Sequence, residues 1–357
     1  MTTTINRYAT AEGVPYTDWT EIDGDLDGLP LPLSDAILRS RVDFADGDSS
    51  RVPFWNVPDG IDVIADLPYA DDADDVRGHR LDLYLPHDAV VRGGRTLPVY
   101  VDIHGGGFVY GYKELNRNFC THLASRGFAV FSVNYRPAPQ TDFLGQLRDV
   151  AQALAWIRDH RGDYPIAQDG VWLTGDSAGG CLAFFAAAVE KSDAVASALG
   201  VTPSGIGVHG AALVSGLFDL LPYVPADGGK GAATGSDAST VATEVDADDP
   251  ASILDVLSST FFAPLASVDR SAVDIAEIVR TVDLPPLFLN TSSDDFIQSE
   301  TLGLAAHLAA AGADFELHDW KTTKGETLGH VFPVCMSWLE ESEAVLDLIR
   351  HFTYSRL

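Results

Sequence analysis

Short apolar runs recur along the chain from about residue 99 onward, with polar and helical stretches between them. Runs of this kind are typical of strands whose two faces are both covered. The pattern predicts strands over 99–103, 129–133, 171–174, 208–214, 287–290 and 315–318. Before them, residues 81–85 alternate apolar and polar side chains and stop at Pro86, which predicts a half-exposed edge strand.

Helical periodicity is clearest over 142–160, where Phe143, Leu147, Val150, Leu154 and Ile157 recur at steps of three and four residues. These side chains share one face of a helix, which must be buried against the sheet. Strands alternating with helices predict an α/β fold with an open, mostly parallel central sheet flanked by helices. In such a sheet the ligand crevice lies at the carboxyl ends of the strands.

Residues 1–77 have a different character, being rich in Asp, Pro and Gly and without a sustained strand pattern. We interpret them as an N-terminal lead-in, in which residues 34–42 form a short helix, and we assign 78–357 to the α/β domain. Residues 222–250 are small, polar and Gly-rich, which predicts a flexible insertion between core elements.

Composition narrows the class of partner and the compartment. The chain has 357 residues, 46% of them hydrophobic, and 23 Lys and Arg face 52 Asp and Glu, for a net charge of −29. Such a charge repels phosphate backbones and anionic lipid surfaces, so we expect neither nucleic acid nor membrane as a partner. No window approaches the ~18 unbroken apolar residues of a membrane-spanning helix. Since the N-terminal residues lack a basic start and an apolar stretch, we expect no secretory signal and predict a cytoplasmic protein.

Metal and disulfide sites are not expected. Cys120, Cys181 and Cys335 are far apart and have no paired spacing. The stretch 23–28 begins like a calcium-binding EF-hand loop, but its twelfth position is Ser34, where that loop needs a bidentate Glu. We therefore predict no metal and no cofactor.

One motif predicts an activated serine. The residues Gly-Asp-Ser-Ala-Gly-Gly at 175–180 follow the strand 171–174 and precede a helix-compatible run at 181–189. In this order of strand, turn and helix, G-x-S-x-G forms a sharp turn that lifts the serine hydroxyl above the sheet. Ser177 is therefore the candidate nucleophile.

A second motif, His104 followed by three glycines, comes directly after the strand 99–103. Glycines leave backbone N–H groups uncovered, so that they can approach an oxygen on which negative charge develops during acyl transfer. We expect this loop to border the same crevice as Ser177. His104 itself is expected to shape the loop rather than to transfer protons.

A serine nucleophile needs a base and an acid that orients the base. Asp294 and Asp295 follow the strand 287–290, and His330 follows the strand 315–318. His318, within a strand pattern, and His307, within a helical pattern, are the other candidates for the base. The order of Ser177, an acid and His330, each after a successive strand, matches the α/β-hydrolase triad and favours His330. The spacing alone leaves open which aspartate is the acid.

The sequences HGGGFVYG, YRPAP and GDSAGG, with the late aspartate and histidine, resemble the hormone-sensitive-lipase-type microbial carboxylesterases of the α/β-hydrolase superfamily. The resemblance covers about 78–357. It implies an α/β-hydrolase fold, Asp295 as the acid, and an oxyanion hole formed by the backbone amides of Gly105, Gly106 and Ala178. It also implies that the N-terminal segment forms a cap over the acyl pocket, with Trp19, Phe54 and Trp55 as candidate walls.

Two hypotheses of function follow. The first is a serine carboxylesterase that hydrolyses short-chain, acetyl-like esters of small alcohols, sugars or aryl groups through an acyl-enzyme. The substrate is then a small-molecule ester, and the sequence is compatible with a homo-oligomer. The alternative is a hydrolase fold retired from catalysis and kept as a small-molecule receptor or interaction module. The complete set of Ser177, Asp295 and His330 favours the first.

Overall fold

An eight-stranded sheet forms the centre of the protein. A computed structural model describes residues 24–73, 76–92, 96–225, 250–322 and 327–357. The strands are β1 (Ile61–Pro68), β2 (Arg80–Pro86), β3 (Val99–Ile103), β4 (Ala129–Val133), β5 (Val171–Asp176), β6 (Val208–Val214), β7 (Leu287–Ser292) and β8 (Phe315–Trp320). Their order across the sheet is β1-β2-β4-β3-β5-β6-β7-β8. β1 and β2 are antiparallel to their neighbours and the remaining pairs are parallel, so the predicted mostly parallel sheet is confirmed.

Helices connect the strands. They are α1 (Leu31–Arg51), α2 (His87–Arg92), α3 (Arg117–Ser125), α4 (Phe143–His160), α5 (Ala178–Lys191), α6 (Asp193–Leu199), α7 (Pro250–Leu257), α8 (Ile275–Thr281), α9 (Gln298–Ala311), α10 (Phe332–Cys335) and α11 (Glu340–Tyr354). α4 confirms the helix predicted over 142–160, and the Asp142 carboxylate caps it by accepting from the amide of Gly145 at 2.8 Å. Within the described part of the chain, none of the helices has the length and apolar character that crossing a bilayer requires.

Both faces of the sheet are covered by apolar side chains. On one face the core includes Leu147 of α4 and Leu182 of α5. On the other it includes Phe119 of α3 and Leu346 of α11. This double cover explains why β3 to β6 are apolar along almost their whole length.

The prediction that 81–85 forms an edge strand is wrong. β2 lies between β1 and β4, and its central residues are buried. The polar position that suggested exposure is Asp82, which is 3% exposed and pairs with the buried ammonium of Lys113 at 2.8 Å. A buried ion pair therefore produces the same alternation of residue types as a solvent-facing side would.

The N-terminal segment contains more regular structure than its sequence predicts. α1 has 21 residues, where a short helix over 34–42 was expected. β1 was not predicted, and it extends the sheet into the segment 1–77; its register shifts between Ile64 and Leu67, which breaks the period of two. Trp19 and residues 226–249 of the predicted insertion lie outside the described residues.

The strand order creates the crevice. The chain passes from β3 to β4 on one side and later enters β5 on the other side of β3, so the connections after β3 and β5 leave in opposite directions. Ile103 at the end of β3 is paired with Gly175 near the end of β5. The two predicted motifs therefore emerge side by side at the carboxyl edge of the sheet.

Candidate active site

Ser177 lies on a sharp turn between β5 and α5. Its backbone has φ 52° and ψ −119°, a strained conformation for a residue with a side chain. A side chain at Gly179 would overlap the carbonyl oxygen of Ile103, and one at Gly175 would overlap that of Gly179. The turn therefore requires glycine at both positions, as the G-x-S-x-G pattern predicts.

His330 and Asp295 meet although 35 residues separate them. His330 Nδ1 and Asp295 Oδ1 are 2.8 Å apart, and the carboxylate also accepts from the hydroxyl of Thr291 at 3.0 Å and the amide of Ile297 at 3.1 Å. Burial acts to raise the pKa of Asp295, but the hydrogen bond and charge of His330 outweigh it and the pKa is lowered. Asp295 is thus an ionised acceptor that orients the imidazole.

Asp294 points elsewhere. Its carboxylate accepts from the amides of Leu328 at 3.1 Å and Gly329 at 3.0 Å, and from the hydroxyl of Ser292 at 2.9 Å. It therefore holds the loop that precedes His330 and makes no contact with the ring within the described residues. Of the two aspartates that the spacing left open, the structure pairs Asp295 with His330.

The other two candidate histidines lie away from this cluster. His318 is on β8, where its ring stacks on Phe288 with centroids 4.6 Å apart. His307 is on α9. Neither lines the cavity above Ser177, which Ser177 and His330 both border.

One of the predicted oxyanion donors, in the glycine loop after β3, requires a correction. The amide of Gly105 donates to Asp176 Oδ1 at 3.1 Å, so it is not free to bind an oxyanion as the resemblance implied. The amides of Gly106 and Gly107 have no acceptor among the described residues, and both glycines have positive φ, 114° and 57°. Ala178 is the first residue of α5, where a helix leaves its N–H groups without an intrahelical partner. The free donors beside Ser177 are therefore those of Gly106, Gly107 and Ala178.

A buried network of polar side chains holds this loop in place. Asn116 donates its side-chain amide to Asp176 at 2.9 Å and to Asp102 at 3.2 Å. Burial raises the pKa of both carboxyls, that of Asp102 to about 7, and the charge of Asp176 adds to the shift of Asp102. The amide of Asn116 thus separates two carboxyls that would repel each other if both were ionised.

His104 has the structural role that was expected of it. Its ring is buried and stacks on Tyr135 with centroids 4.2 Å apart, and its Nδ1 lies 2.8 Å from the carbonyl oxygen of Gly105. Burial lowers the pKa of His104 to about 4. It is therefore a neutral ring that shapes the glycine loop.

The cavity above Ser177 has a volume of about 590 Å³. Trp55 is among its walls, as predicted, whereas Phe54 is 59% exposed, packs against Trp338 with the two rings tilted, and does not line it. Sequence reasoning missed Asp48 and Arg51 of α1, which also line the cavity. Their only sequence signal is a spacing that places them with Phe44 on one side of a helix.

Metal ligands do not assemble around the site. No group of three or more His, Cys, Asp or Glu side chains within the described ranges has the geometry to hold a metal ion. Asp25, in the stretch that begins like an EF-hand loop, instead forms two hydrogen bonds with the buried guanidinium of Arg41, at 2.6 and 2.9 Å.

The chain is similar to known hydrolases over the same region. The sequence profile described as "alpha/beta hydrolase fold" matches residues 100–332. Esterase LipI of Mycobacterium tuberculosis is 26% identical over 263 residues, which are 71% of this chain and 73% of LipI. Lipase 2 of a Moraxella species is 43% identical over 81 residues, 22% of this chain, and the match spans only 19% of that relative's length.

A solved structure agrees with this assignment. Esterase B of Lactobacillus rhamnosis is 27% identical, with a TM-score of 0.75 over 92% of this chain and 97% of that chain. The profile matches well over half of the chain, and the arrangement of sheet, elbow and helices is that of its fold. The chain therefore belongs to the family of the α/β hydrolase fold, together with relatives and structural neighbours that are named as esterases.

Proposed function

We propose that the protein is a serine carboxylesterase that hydrolyses short-chain esters through an acyl-enzyme. The observation that carries the proposal is the 2.8 Å contact between His330 Nδ1 and Asp295 Oδ1, with His330 and Ser177 bordering one cavity. A serine, an oriented histidine and a buried carboxylate are the parts that acyl transfer needs.

The reaction begins when the Ser177 hydroxyl attacks the ester carbonyl and His330 Nε2 takes its proton. The imidazolium that forms is stabilised by the ionised Asp295. His330 then gives the proton to the leaving alcohol, and a water that it deprotonates in turn releases the acid from Ser177. In the second half of the reaction His330 gives the proton of the water to Ser177 Oγ, so each half-reaction returns His330 to its neutral state and no cofactor is consumed.

The negative charge on the carbonyl oxygen requires donors already in place. We assign this role to the amides of Gly106, Gly107 and Ala178, with Gly105 and Asp176 holding the loop. One such donor contributes about 3 to 4 kcal/mol to the transition state. The partial positive charge at the beginning of α5 acts in the same direction.

The cavity is bordered by residues of the helix α1 and by Leu217 and Tyr223, and the choice of short acyl groups is supported by a structural neighbour. Esterase B of L. rhamnosis has been solved with a C4-C4 tributyrin phosphonate, an analogue of a short-chain ester. We take butyryl and acetyl esters as the substrate class. The cytoplasmic location, the homo-oligomer and the absence of nucleic-acid or membrane partners stay predictions from the sequence.

The test is turnover of p-nitrophenyl acetate and p-nitrophenyl butyrate by the wild type and by Ser177→Ala. We expect the wild type to release p-nitrophenol in an initial burst and the variant to lose at least 10³-fold in kcat. Equal rates would reject the assignment. Labelling with a fluorophosphonate tests the alternative, since a retired receptor or interaction module would leave Ser177 unlabelled.

A further inference from the structure

One face of α1 is directed at the active site. Arg41, Phe44, Asp48 and Arg51 are spaced by three or four residues, so they lie on the same side of the helix. Arg41 is fully buried and donates to the carbonyl oxygens of Val109 and Ala138, both at 2.8 Å. These bonds attach α1 to the segment that follows the glycine loop and to the segment that follows β4.

Phe44 places this face above the oxyanion donors. Its ring would lie 3.4 Å from a Cβ atom at Gly107, so it packs directly on the loop. At a rise of 1.5 Å per residue, Asp48 lies about 6 Å and Arg51 about 10 Å further along the helix axis. These positions suit groups of a substrate that are a few bonds away from its ester carbonyl.

Asp48 and Arg51 have hydrogen-bonding capacity left for a ligand. Arg51 Nη1 contacts Asp48 Oδ1 at 3.3 Å and Cys335 Sγ at 3.0 Å, while its other two nitrogens have no acceptor among the described residues. The side chains of Arg51 and Asp48 are 37% and 20% exposed, and both line the cavity. Asp48 and Arg51 form a polar wall of the cavity, called the wall below. Since a guanidinium has five N–H donors, this wall offers donors beside a carboxylate acceptor.

The charges of the wall indicate what kind of group it accepts. The described lining residues include Asp43, Asp48 and Asp176, with Arg51 as the single Lys or Arg. An anionic group is therefore disfavoured by the local field. A hydroxyl group donates to Asp48 and accepts from Arg51, so it satisfies both partners without bringing a charge into the cavity.

Asp48 is partly shielded from solvent. Burial raises its pKa to about 6, although Arg51 and a hydrogen bond with Tyr110 act to lower it. A carboxylate that water reaches poorly depends more strongly on a hydrogen bond from a ligand. An alkyl group at the same place would cover the carboxylate without replacing that bond.

The position of this wall indicates which half of the ester it contacts. Cys335, which touches Arg51, is in α10, which begins two residues after His330. Since His330 delivers its proton to the leaving alcohol, we assign the wall to the alcohol side of the ester. Leu217, Ile253 and Leu254, which also line the cavity, are apolar and suit the acyl chain.

We propose that Asp48 and Arg51 form a subsite that selects esters of polyhydroxylated alcohols, such as glycerol or sugars, over esters of plain alkyl alcohols. The inference rests on the proposed esterase function and adds the class of alcohol. Asp48 accepts from one hydroxyl of the alcohol and Arg51 donates to a hydroxyl oxygen. The two residues determine specificity and take no part in the proton transfers.

The experiment compares two esters that differ only by two hydroxyl groups, glycerol 1-monobutyrate and propyl butyrate. The kcat/KM of each is measured with the wild type, Asp48→Ala and Arg51→Met. Asp46→Ala and Arg39→Met are the matched controls, because they remove the same charges from positions of α1 that do not line the cavity.

We expect the wild type to favour glycerol 1-monobutyrate by about 10- to 100-fold. Each subsite variant should lose most of this ratio through slower hydrolysis of the glycerol ester, and keep its kcat/KM for propyl butyrate within about threefold. The controls should keep the wild-type ratio. Hydrolysis of propyl butyrate also shows that each variant is folded.

A wild type that hydrolyses both esters equally well would overturn the subsite, as would variants that keep the ratio. If the wild type hydrolysed neither ester, or if Ser177→Ala were as fast, the proposed esterase function itself would fail. The two failures are therefore distinguishable.

Discussion

Replacing Asp295 with Asn tests the central contact of the site. The amide has the shape of the carboxylate but no charge, and it can present an N–H to His330 Nδ1 instead of accepting from it. The imidazole would then turn to the tautomer with its proton on Nε2, the nitrogen that must accept the proton of Ser177. We expect binding to change little and the chemical step to slow strongly.

The magnitude follows from the geometry. With atoms 2.8 Å apart, the charge centres of imidazolium and carboxylate are about 4 Å from each other, which corresponds to about 4 kcal/mol at an effective dielectric constant of ~20. The Asp295 side chain is 0% exposed and that of His330 is 19% exposed, so solvent screens the pair little. A loss of 4 kcal/mol is about 10³-fold in kcat, and the wrong tautomer brings the expected loss to about 10⁴-fold.

Asp294→Asn is the matched control, since it makes the same chemical change one residue earlier. Asp294 accepts from two backbone amides, and Asn can accept only from one side, so we expect a loss of about 1 to 2 kcal/mol in the free energy of unfolding. Its kcat should fall by less than about tenfold, because the His330 ring keeps its acceptor.

The assay measures kcat and KM for p-nitrophenyl butyrate, together with urea unfolding of each variant. The reasoning would be refuted if Asp295→Asn retained more than a tenth of the wild-type kcat. It would equally be refuted if Asp294→Asn lost as much activity as Asp295→Asn while remaining folded.

Three further predictions concern the oxyanion loop, the anchor of α1 and a buried histidine. Gly106→Ala places a Cβ against the carbonyl oxygen of Tyr110 at a positive φ, so kcat should fall about 10²-fold at nearly constant KM in steady-state kinetics. Arg41→Met leaves Asp25 and two carbonyls without their buried donor, and calorimetry should show a loss of about 3 to 5 kcal/mol. Hydrogen bonds that the His79 ring donates to the carboxylates of Asp149 and Asp72 raise its pKa despite its burial, so the stabilisation should be complete below pH ~6.5 and lost as pH rises through the raised pKa. The Tm difference between wild type and His79→Gln should therefore shrink from pH 6 to pH 9, and a constant difference would contradict the assignment.

The class of fold and the nucleophile could be predicted from the sequence because their signals are local. Apolar runs mark strands covered on both faces, and β3, β4 and β6 have the predicted bounds. The elbow at Ser177 is marked by a short G-x-S-x-G string between a strand and a helix, although the contact that requires Gly179 is with Ile103 of β3. Chain order was enough to select His330 because successive strands of a parallel sheet end at one edge.

Other features depend on groups far apart in the chain. Asp294 and Asp295 are adjacent and chemically identical, and only the folded backbone directs one at the loop before His330 and the other at its ring. The backbone N–H of Gly105 donates its hydrogen bond to Asp176, which is 71 residues away. No local pattern reports the direction of an N–H bond.

The helix α1 and the strand β2 also show that local sequence patterns do not report contacts between distant residues. The apolar pattern of α1 is weak because its buried face includes Arg41 beside Leu33, Ile37 and Ala45. Asp82 resembles an exposed residue because its partner, Lys113, lies 31 positions later. The sequence by itself therefore determined the elements, the sheet and the order of the reactive groups, since these follow from periodicity and backbone sterics. The tertiary structure decided which carboxylate, which amides and which side chains of α1 face the substrate, because these depend on orientations that arise only when distant segments pack together.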